Sequence, residues 1–227
     1  MSEFFNRYFP NVVKLSDEVV QSTIETIYMT LATAIIAGVF GIILGVILVV
    51  SDRQGIAPNK LVYETLDKVI NICRSIPFII MLAVIAPFTR LVVGTTIGTT
   101  ASIVPLVIGT VPFFARQIQN ALLEVDGGVV EAAQAMGSST LEIIFRVYLK
   151  EGLPGIVRAS ALTVINLIGL TAMAGAVGGG GLGNLAIARG YNRFQNDVVV
   201  VATLIILILV FISQMIGNYF IRKTEHA

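Results

Sequence analysis

The sequence predicts an all-α integral membrane protein with five transmembrane helices. Two observations lead there. Of its 227 residues, 56% are hydrophobic and only 13% are charged, against about a quarter charged in ordinary soluble domains. A chain of this length buries only part of its own surface on folding, so lipid must solvate the apolar remainder. Several runs are also free of charge and long enough to cross a hydrocarbon core, which takes about 20 apolar residues of helix.

The same composition excludes other classes. A net charge of +1 comes with no basic stripe to neutralise phosphates, so nucleic acid is not an expected partner. Cys73 is the single cysteine and rules out an intrachain disulfide framework or a multi-cysteine metal site. The one histidine, His226, lies beside the C-terminus, which argues against zinc or Ser-His-Asp chemistry. No catalytic residue, metal or cofactor is expected on this chain.

Residues 1–22 are expected outside or at the interface. Met1 to Asp17 mixes polar and aromatic residues and does not read as a cleaved secretory signal. Phe4, Phe5, Tyr8 and Phe9 could anchor at interfacial depth; a frayed terminus is the equal alternative. Span 1, about residues 25–50, contains the uncharged run Ile27 to Val50, in which Gly41 and Gly45 have the spacing that lets helices approach closely. We read that pair, with Gly38, as helix packing within the fold. Span 2, about 66–88, joins Ser75 to Thr89 with Val69 to Cys73 at the cost of including Arg74. Span 3, about 97–118, overlaps the uncharged run Leu91 to Ala115, and span 4, about 155–176, overlaps the uncharged run Ala159 to Ala188 before it dissolves into glycine. Span 5, about 197–220, contains Val198 to Phe220. Pro77, Pro87, Pro105 and Pro112 each remove a backbone donor. Lipid tolerates that only where protein or a water-filled cavity satisfies the backbone again, so these prolines favour a pathway-lining core. Arg74 and Arg116, at span ends, read individually as snorkelling side chains.

Five spans place the termini on opposite sides. With the C-terminus inside, the cytoplasmic segments hold Arg53, Lys60, Arg116, Arg146, Lys150, Arg158, Arg222 and Lys223, and the outer ones Arg7, Lys14, Arg90, Arg189 and Arg193. The positive-inside bias therefore favours N-terminus out and C-terminus in, with a cytoplasmic tail over residues 221–227.

The loop at about 126–150 then faces the cytoplasm. Asp126 can cap a short helix from Gly127 to Met136, and Gly137 can stop it. Ser139 and Glu142 have capping-box spacing and start a second helix. That helix would place Leu141, Ile144 and Tyr148 on one face, with Ile143, Val147 and Val157 nearby. The apolar face suits a soluble partner docked helix-in-groove or a position on lipid, and the residues alone support both.

Glu131-Ala132-Ala133, then Gly137 after three residues, then Val147 and Leu149 after nine more, resembles the EAA loop of ABC importer permeases. Val147 replaces the usual isoleucine, and Lys150 stands where that pattern has proline, although Leu153-Pro154 follows. The stretch Arg74 to Ile80, with Pro87-Phe88-Thr89-Arg90 and Val93-Gly94-Thr95, resembles the methionine-importer permease subfamily. Asn120 to Glu124, Ala172 to Gly178 and Gly180 to Gly183 fit the same subfamily, and the likeness spans about residues 23–214. The resemblance implies a type I ABC importer permease fold over 23–214 with a cytoplasmic coupling-helix loop. It implies a homodimer paired with two copies of an ATP-binding subunit that holds ATP and Mg, and a substrate-binding protein or lipoprotein outside. The coupling residues would be Glu131, Ala132, Ala133, Gly137, Val147 and Leu149, and the cargo methionine, the L-isomer and by extension the D-isomer, carried across a bacterial cytoplasmic membrane.

No G-x-x-x-x-G-K-[ST] occurs, so this chain has no phosphate-cradling lysine loop. Gly178, Gly180 and Gly183 satisfy G-x-G-x-x-G only because glycines run together after an apolar span; a turn or re-entrant loop is the better reading. Candidate pathway residues are Ser75, Asn166, Thr171 and Met173. Met173 resembles the position that narrows the pathway in the subfamily and could equally be packing, while Asn166 could be an interhelical hydrogen bond. The alternatives are another amino acid or a small peptide as cargo, or an ATP-independent secondary transporter. The latter would want carboxylates inside the membrane, which the uncharged runs lack.

Overall fold

The computed structural model describes residues 8–225, and among them every regular element is helical. In chain order these are α1 (Pro10–Lys14), α2 (Ser16–Ser51), α3 (Lys60–Ser75), α4 (Phe78–Val93), α5 (Thr99–Leu123), α6 (Gly127–Ala135), α7 (Thr140–Ile143), α8 (Leu149–Glu151), α9 (Leu153–Ala174), α10 (Gly181–Asn184) and α11 (Asn196–Glu225). Wider π-helical turns at Ile144–Tyr148, Gly175–Gly179 and Leu185–Gly190 join α7 to α8 and extend α9 and α10. Phe4 and Phe5 of the expected anchor, and His226, lie outside the described residues.

Among the described residues α2, α5, α11 (as Asn196–Thr224) and α9 with its π extension (Leu153–Gly179) are each long and apolar enough to cross a membrane. The fifth span needs α3 and α4 together. The sequence suggests one helix there, but Ile76 is extended (φ −82°, ψ 122°) and Pro77 caps α4. A residue before proline is pushed out of the α region, and Pro77 has no N–H to continue the ladder of α3. Pro87 stays inside α4, and Pro105 and Pro112 inside α5, without ending either helix. The first long helix also starts earlier than the apolar run, at Ser16, where Asp17 and Glu18 complement the positive end of its dipole.

The chain divides into two compact units. One comprises Met1–Ile35, Pro77–Ile108 and Val164–Ser213. Its apolar clusters gather Leu182, Leu185, Val198 and Ala202 in one place and Met29, Leu106 and Leu167 in another. Short α1 is held by the Asp197 carboxylate, which accepts hydrogen bonds from the Asn11 amide (2.9 Å), the Asn11 side chain (3.0 Å) and the Val12 amide (3.4 Å). An anion at the free amides of a helix start is the expected partner for them. Arg189 pairs with Glu18 at 2.8 Å in the same unit.

The second unit comprises Ile36–Ile76, Gly109–Thr163 and Gln214–Ala227. Its core joins Val49, Phe114, Ile118, Leu122, Ile156 and Ala159 to residues of the loop after α5. The Gly41 and Gly45 pair packs within the chain, as its spacing suggests: a Cβ at Gly45 would lie 2.6 Å from Ile118, and one at Gly41 2.5 Å from the Phe114 ring. Arg116 does not snorkel. Its guanidinium is paired with Asp67 on α3 and bonded to Asn71 and Gln119, with 18% of the side chain exposed.

Candidate coupling loop and pathway residues

The loop between α5 and α9 is built by local side-chain chemistry. The Asp126 carboxylate accepts the Gly128 N–H at 2.8 Å and caps α6. Val130 and Ala133, three residues apart on one face, enter the core with Ile143, Val147 and Tyr148. The opposite side leaves Glu131, Ala132, Gln134 and Ala135 exposed. A groove of about 550 Å³ runs beside α6, with Asp52, Gln54, Glu131 and Gln134 in its walls.

Gly137 ends α6 with φ +80°. Its N–H donates to the Gln134 carbonyl (2.9 Å), and that of Ser138 to the Ala133 carbonyl (3.1 Å). This paired 5→2 and 6→1 pattern is the Schellman motif, which needs a left-handed residue and so favours glycine. The capping box then starts α7: Glu142 accepts from the Ser139 amide (2.9 Å) and hydroxyl (2.8 Å), and Ser139 Oγ accepts the Glu142 N–H (3.4 Å). The Ser139 amide, then its hydroxyl, hold the Glu142 carboxyl below its ordinary range against a smaller desolvation effect, and Arg146 adds to the lowering.

Beyond α7 the structure corrects one expectation. The face drawn through Leu141, Ile144 and Tyr148 is split: Leu141 is exposed and Tyr148 buried beside Val147. The π turn Ile144–Tyr148 holds more residues per turn than an α-helix, so positions after Ile143 rotate away from the 3.6-residue register. Val147 and Tyr148 both become core, and burial pushes the Tyr148 hydroxyl above its ordinary pKa. Met136 (79% exposed), Leu141 (66%) and Phe145 (67%) remain as apolar surface. Lys150 is exposed in α8, and the break falls at Gly152, whose N–H bonds to the Tyr148 carbonyl (2.9 Å). A Cβ there would meet that carbonyl at 2.5 Å and Leu122 at 2.8 Å. Pro154 sits in the first turn of α9, where no intrahelical donor is needed.

The four candidate pathway residues are differently placed. Ser75 ends α3, exposed, with its hydroxyl donating to the Asn71 carbonyl (2.8 Å). The other three lie on α9 in the first unit. Asn166 and Met173 are exposed and share a face two turns apart. Thr171 is 1% exposed and donates to the Ile168 carbonyl at 2.7 Å. Gly169 and Ala176 are also exposed on the Asn166 and Met173 side. The regular 3-4 spacing of this uncovered stripe was available in the sequence, hidden because every residue on α9 is uncharged between Ala159 and Ala174.

The glycine run folds as a turn. Gly178, Gly180 and Gly181 have φ of +94°, +80° and +69°. The Gly178 carbonyl accepts the Gly98 N–H (3.0 Å), Glu25 accepts the Gly181 N–H (2.7 Å), and Thr26 Oγ accepts the Leu182 N–H (2.9 Å). Glu25 was not legible in the sequence as a partner of this turn, because the two are 156 residues apart and only the fold brings them together. Among the described residues no group of three or more His, Cys, Asp or Glu could hold a metal ion.

Comparison with known proteins agrees with this geometry. Residues 37–226 match the family model for the binding-protein-dependent transport system inner membrane component. The chain is 46% identical over 90% of its length to 94% of the probable D-methionine transport system permease protein MetI of Pasteurella multocida. It is 47% identical over 94% of its length to 96% of the methionine import system permease protein MetP of Bacillus subtilis. A solved chain of the inward-facing MetNI methionine ABC transporter superposes with a TM-score of 0.91 at 41% identity, covering 93% of this chain and 98% of that one. A loop built on the Glu131 pattern, the type I ABC permease fold and these likenesses converge: the chain belongs to the family of binding-protein-dependent transport system inner membrane components, as a multi-pass membrane permease subunit of an ABC transporter.

Proposed function

We propose that this permease carries methionine, both isomers, across a bacterial cytoplasmic membrane as half of a homodimeric pathway. The observation that carries the reading is the near-complete coverage, on both sides, of relatives named for methionine transport. ATP and Mg are bound, and ATP is hydrolysed, by two copies of a separate subunit, and a substrate-binding protein or lipoprotein delivers cargo from outside. The organisation is an outer or interfacial segment over residues 1–22, a transmembrane domain over 23–214 and a cytoplasmic tail over 221–227. In that orientation, supported by the positive-inside bias, the loop at 126–150 faces the ATPase.

The loop couples by presenting Glu131 and Ala132 on a helix whose other face, through Ala133, is fixed in the core. Gly137 sets the angle between α6 and α7, and Val147 and Leu149 pack the far end against the same core. A rigid loop tied to α5 and α9 moves with them when the partner makes different contacts in its two states. Asn166 and Met173 face the pathway from α9, with Thr171 bracing the helix from behind; Ser75, at the end of α3, is a separate candidate.

The test is uptake of radiolabelled L- and D-methionine by vesicles holding the full complex, with ATP hydrolysis measured in parallel. Glu131→Arg reverses the charge on the exposed face and is expected to cut uptake at least ten-fold while hydrolysis persists. Unchanged uptake in that variant overturns the coupling role, and absence of methionine uptake in the unmodified complex overturns the cargo.

A further inference from the structure

The first unit holds a half-open cavity of about 250 Å³ between α4, α5 and the glycine turn that follows α9. None of Ser75, Asn166, Thr171 or Met173 lines it. Three features of its wall point to a ligand. Thr89 is 3% exposed, and its hydroxyl has no hydrogen-bond partner in the protein. A buried hydroxyl left so is costly unless something else bonds to it. Second, Pro87 lies four residues after Ala83 and Pro105 four after Ala101, and both alanines line the cavity. Proline supplies no N–H, so the carbonyls of Ala83 and Ala101 each lack their helical donor. Third, no lining residue is ionisable, and Ile79, Leu82 and Val177 make much of the remaining wall apolar.

From these features we infer that the cavity is a transit site for one small zwitterionic amino acid with an apolar side chain, a site separate from the α9 stripe. The ammonium group of such a ligand donates to the two freed carbonyls. The Thr89 hydroxyl donates to the carboxylate, and the apolar wall takes the side chain. A net charge on the ligand finds no counter-ion here and is disfavoured. At about 30 Å³ per water-sized unit, the volume admits roughly eight or nine non-hydrogen atoms. Methionine, with nine non-hydrogen atoms, is of that size. This inference rests on the methionine reading above and deepens it by naming a place in the fold where the cargo is held.

The test uses the complete complex with its ATP-binding and substrate-binding partners in lipid nanodiscs and vesicles. Photo-methionine, the diazirine analogue, is bound, photolysed and mapped by mass spectrometry, and radiolabelled L-methionine uptake is measured on the same preparations. Labelling is expected within residues 79–105 and 174–179 and is lost when excess methionine is added. Thr89→Val, which keeps shape and removes the hydroxyl, is expected to reduce that labelling and to raise the half-saturating methionine concentration about ten-fold. Thr89→Ser is expected to restore both. If the unmodified complex takes up methionine but its label falls elsewhere, or Thr89→Val matches it in both readouts, the cavity assignment fails and the import reading stands. If the unmodified complex takes up no methionine, both fail.

Discussion

Replacing Gly45 by alanine adds one methyl group where α2 and α5 touch, and two effects of opposite sign follow. Alanine favours a helix over glycine by about 1 kcal/mol. Against that, the new Cβ would stand 2.6 Å from Cβ and Cγ2 of Ile118 and 2.8 Å from the carbonyl oxygen of Ala115. Ordinary carbon contacts are about 3.5–4.0 Å, so relief requires a shift of about 1 Å. Neither neighbour can turn aside: one contact is a backbone atom, another is a Cβ, and both residues are fully buried. The helices must part, and overpacking of this kind costs about 1–3 kcal/mol. Gly38→Ala is the internal control, since nothing lies within 4 Å of its Cβ position and it receives the same helix-propensity gain. Gly41→Ala falls between, because its closest contact is the edge of the Phe114 ring at 2.5 Å, which can tilt. In a chain of this size 1 kcal/mol moves a thermal midpoint by about 2–4 °C. Gly45→Ala is therefore expected to melt roughly 2–12 °C below Gly38→Ala, read as loss of the monodisperse peak of the purified complex on heating. Equal midpoints for the two variants would refute the close approach of α2 and α5.

Two further outcomes follow from the caps. Glu142 has its carboxyl held below the usual range by Ser139, so its contribution to the α7 start is present above the unfolded carboxylate pKa and is lost as pH falls through the lower folded value. Amide exchange over residues 139–143, corrected for intrinsic rates, should accelerate on acidification in the unmodified protein and be fast at all pH values in Glu142→Ala, which removes the acceptor; a pH-independent profile in the unmodified protein contradicts the box. Glu25→Ala strands the buried Gly181 N–H, which costs about 1–3 kcal/mol. It is expected to lower the thermal midpoint and to speed exchange at Gly181 ahead of the rest of α10, with Glu25→Gln close to the unmodified protein.

The loop was readable in advance where one side chain meets one nearby amide. Asp126, Gly137, Ser139 and Glu142 act over two to five residues, so spacing alone located both helix starts and the stop between them. The π turn was not readable, because nothing local demands it. It satisfies the burial of Val147 and Tyr148 together against Leu122 and Ile156, residues supplied by helices on either side of the loop. The break at Gly152 has the same origin: the glycine is the residue with no room for a side chain. Arg116 was misjudged for a related reason. Taken alone at a span end it could reach water, and only the fold brings Asp67 and Asn71 of α3 beside it.

The glycine run shows most directly why a pattern of residues does not fix its chemistry. Gly178, Gly180 and Gly183 spell a sequence that elsewhere leaves amides free for a phosphate. Here the first two amides of α10 are occupied: Glu25 takes that of Gly181 and Thr26 that of Leu182. A carboxylate from the same chain stands where an anionic ligand would have to bind, so the positive end of that helical stretch is already neutralised. The glycines answer a steric demand instead. A Cβ at Gly183 would lie 2.1 Å from the Ala172 carbonyl, and one at Gly175 2.6 Å from the Asn184 amide. The turn folds back on α9 closely enough that only glycine fits. Its anchorage to Glu25 and Thr26 of α2, and to Gly98 ahead of α5, makes its conformation depend on several helices at once. A shift of α9 against α2 must therefore either carry the turn along or break the Glu25 contact, which is why the Glu25→Ala variant probes the turn and not merely the helix start.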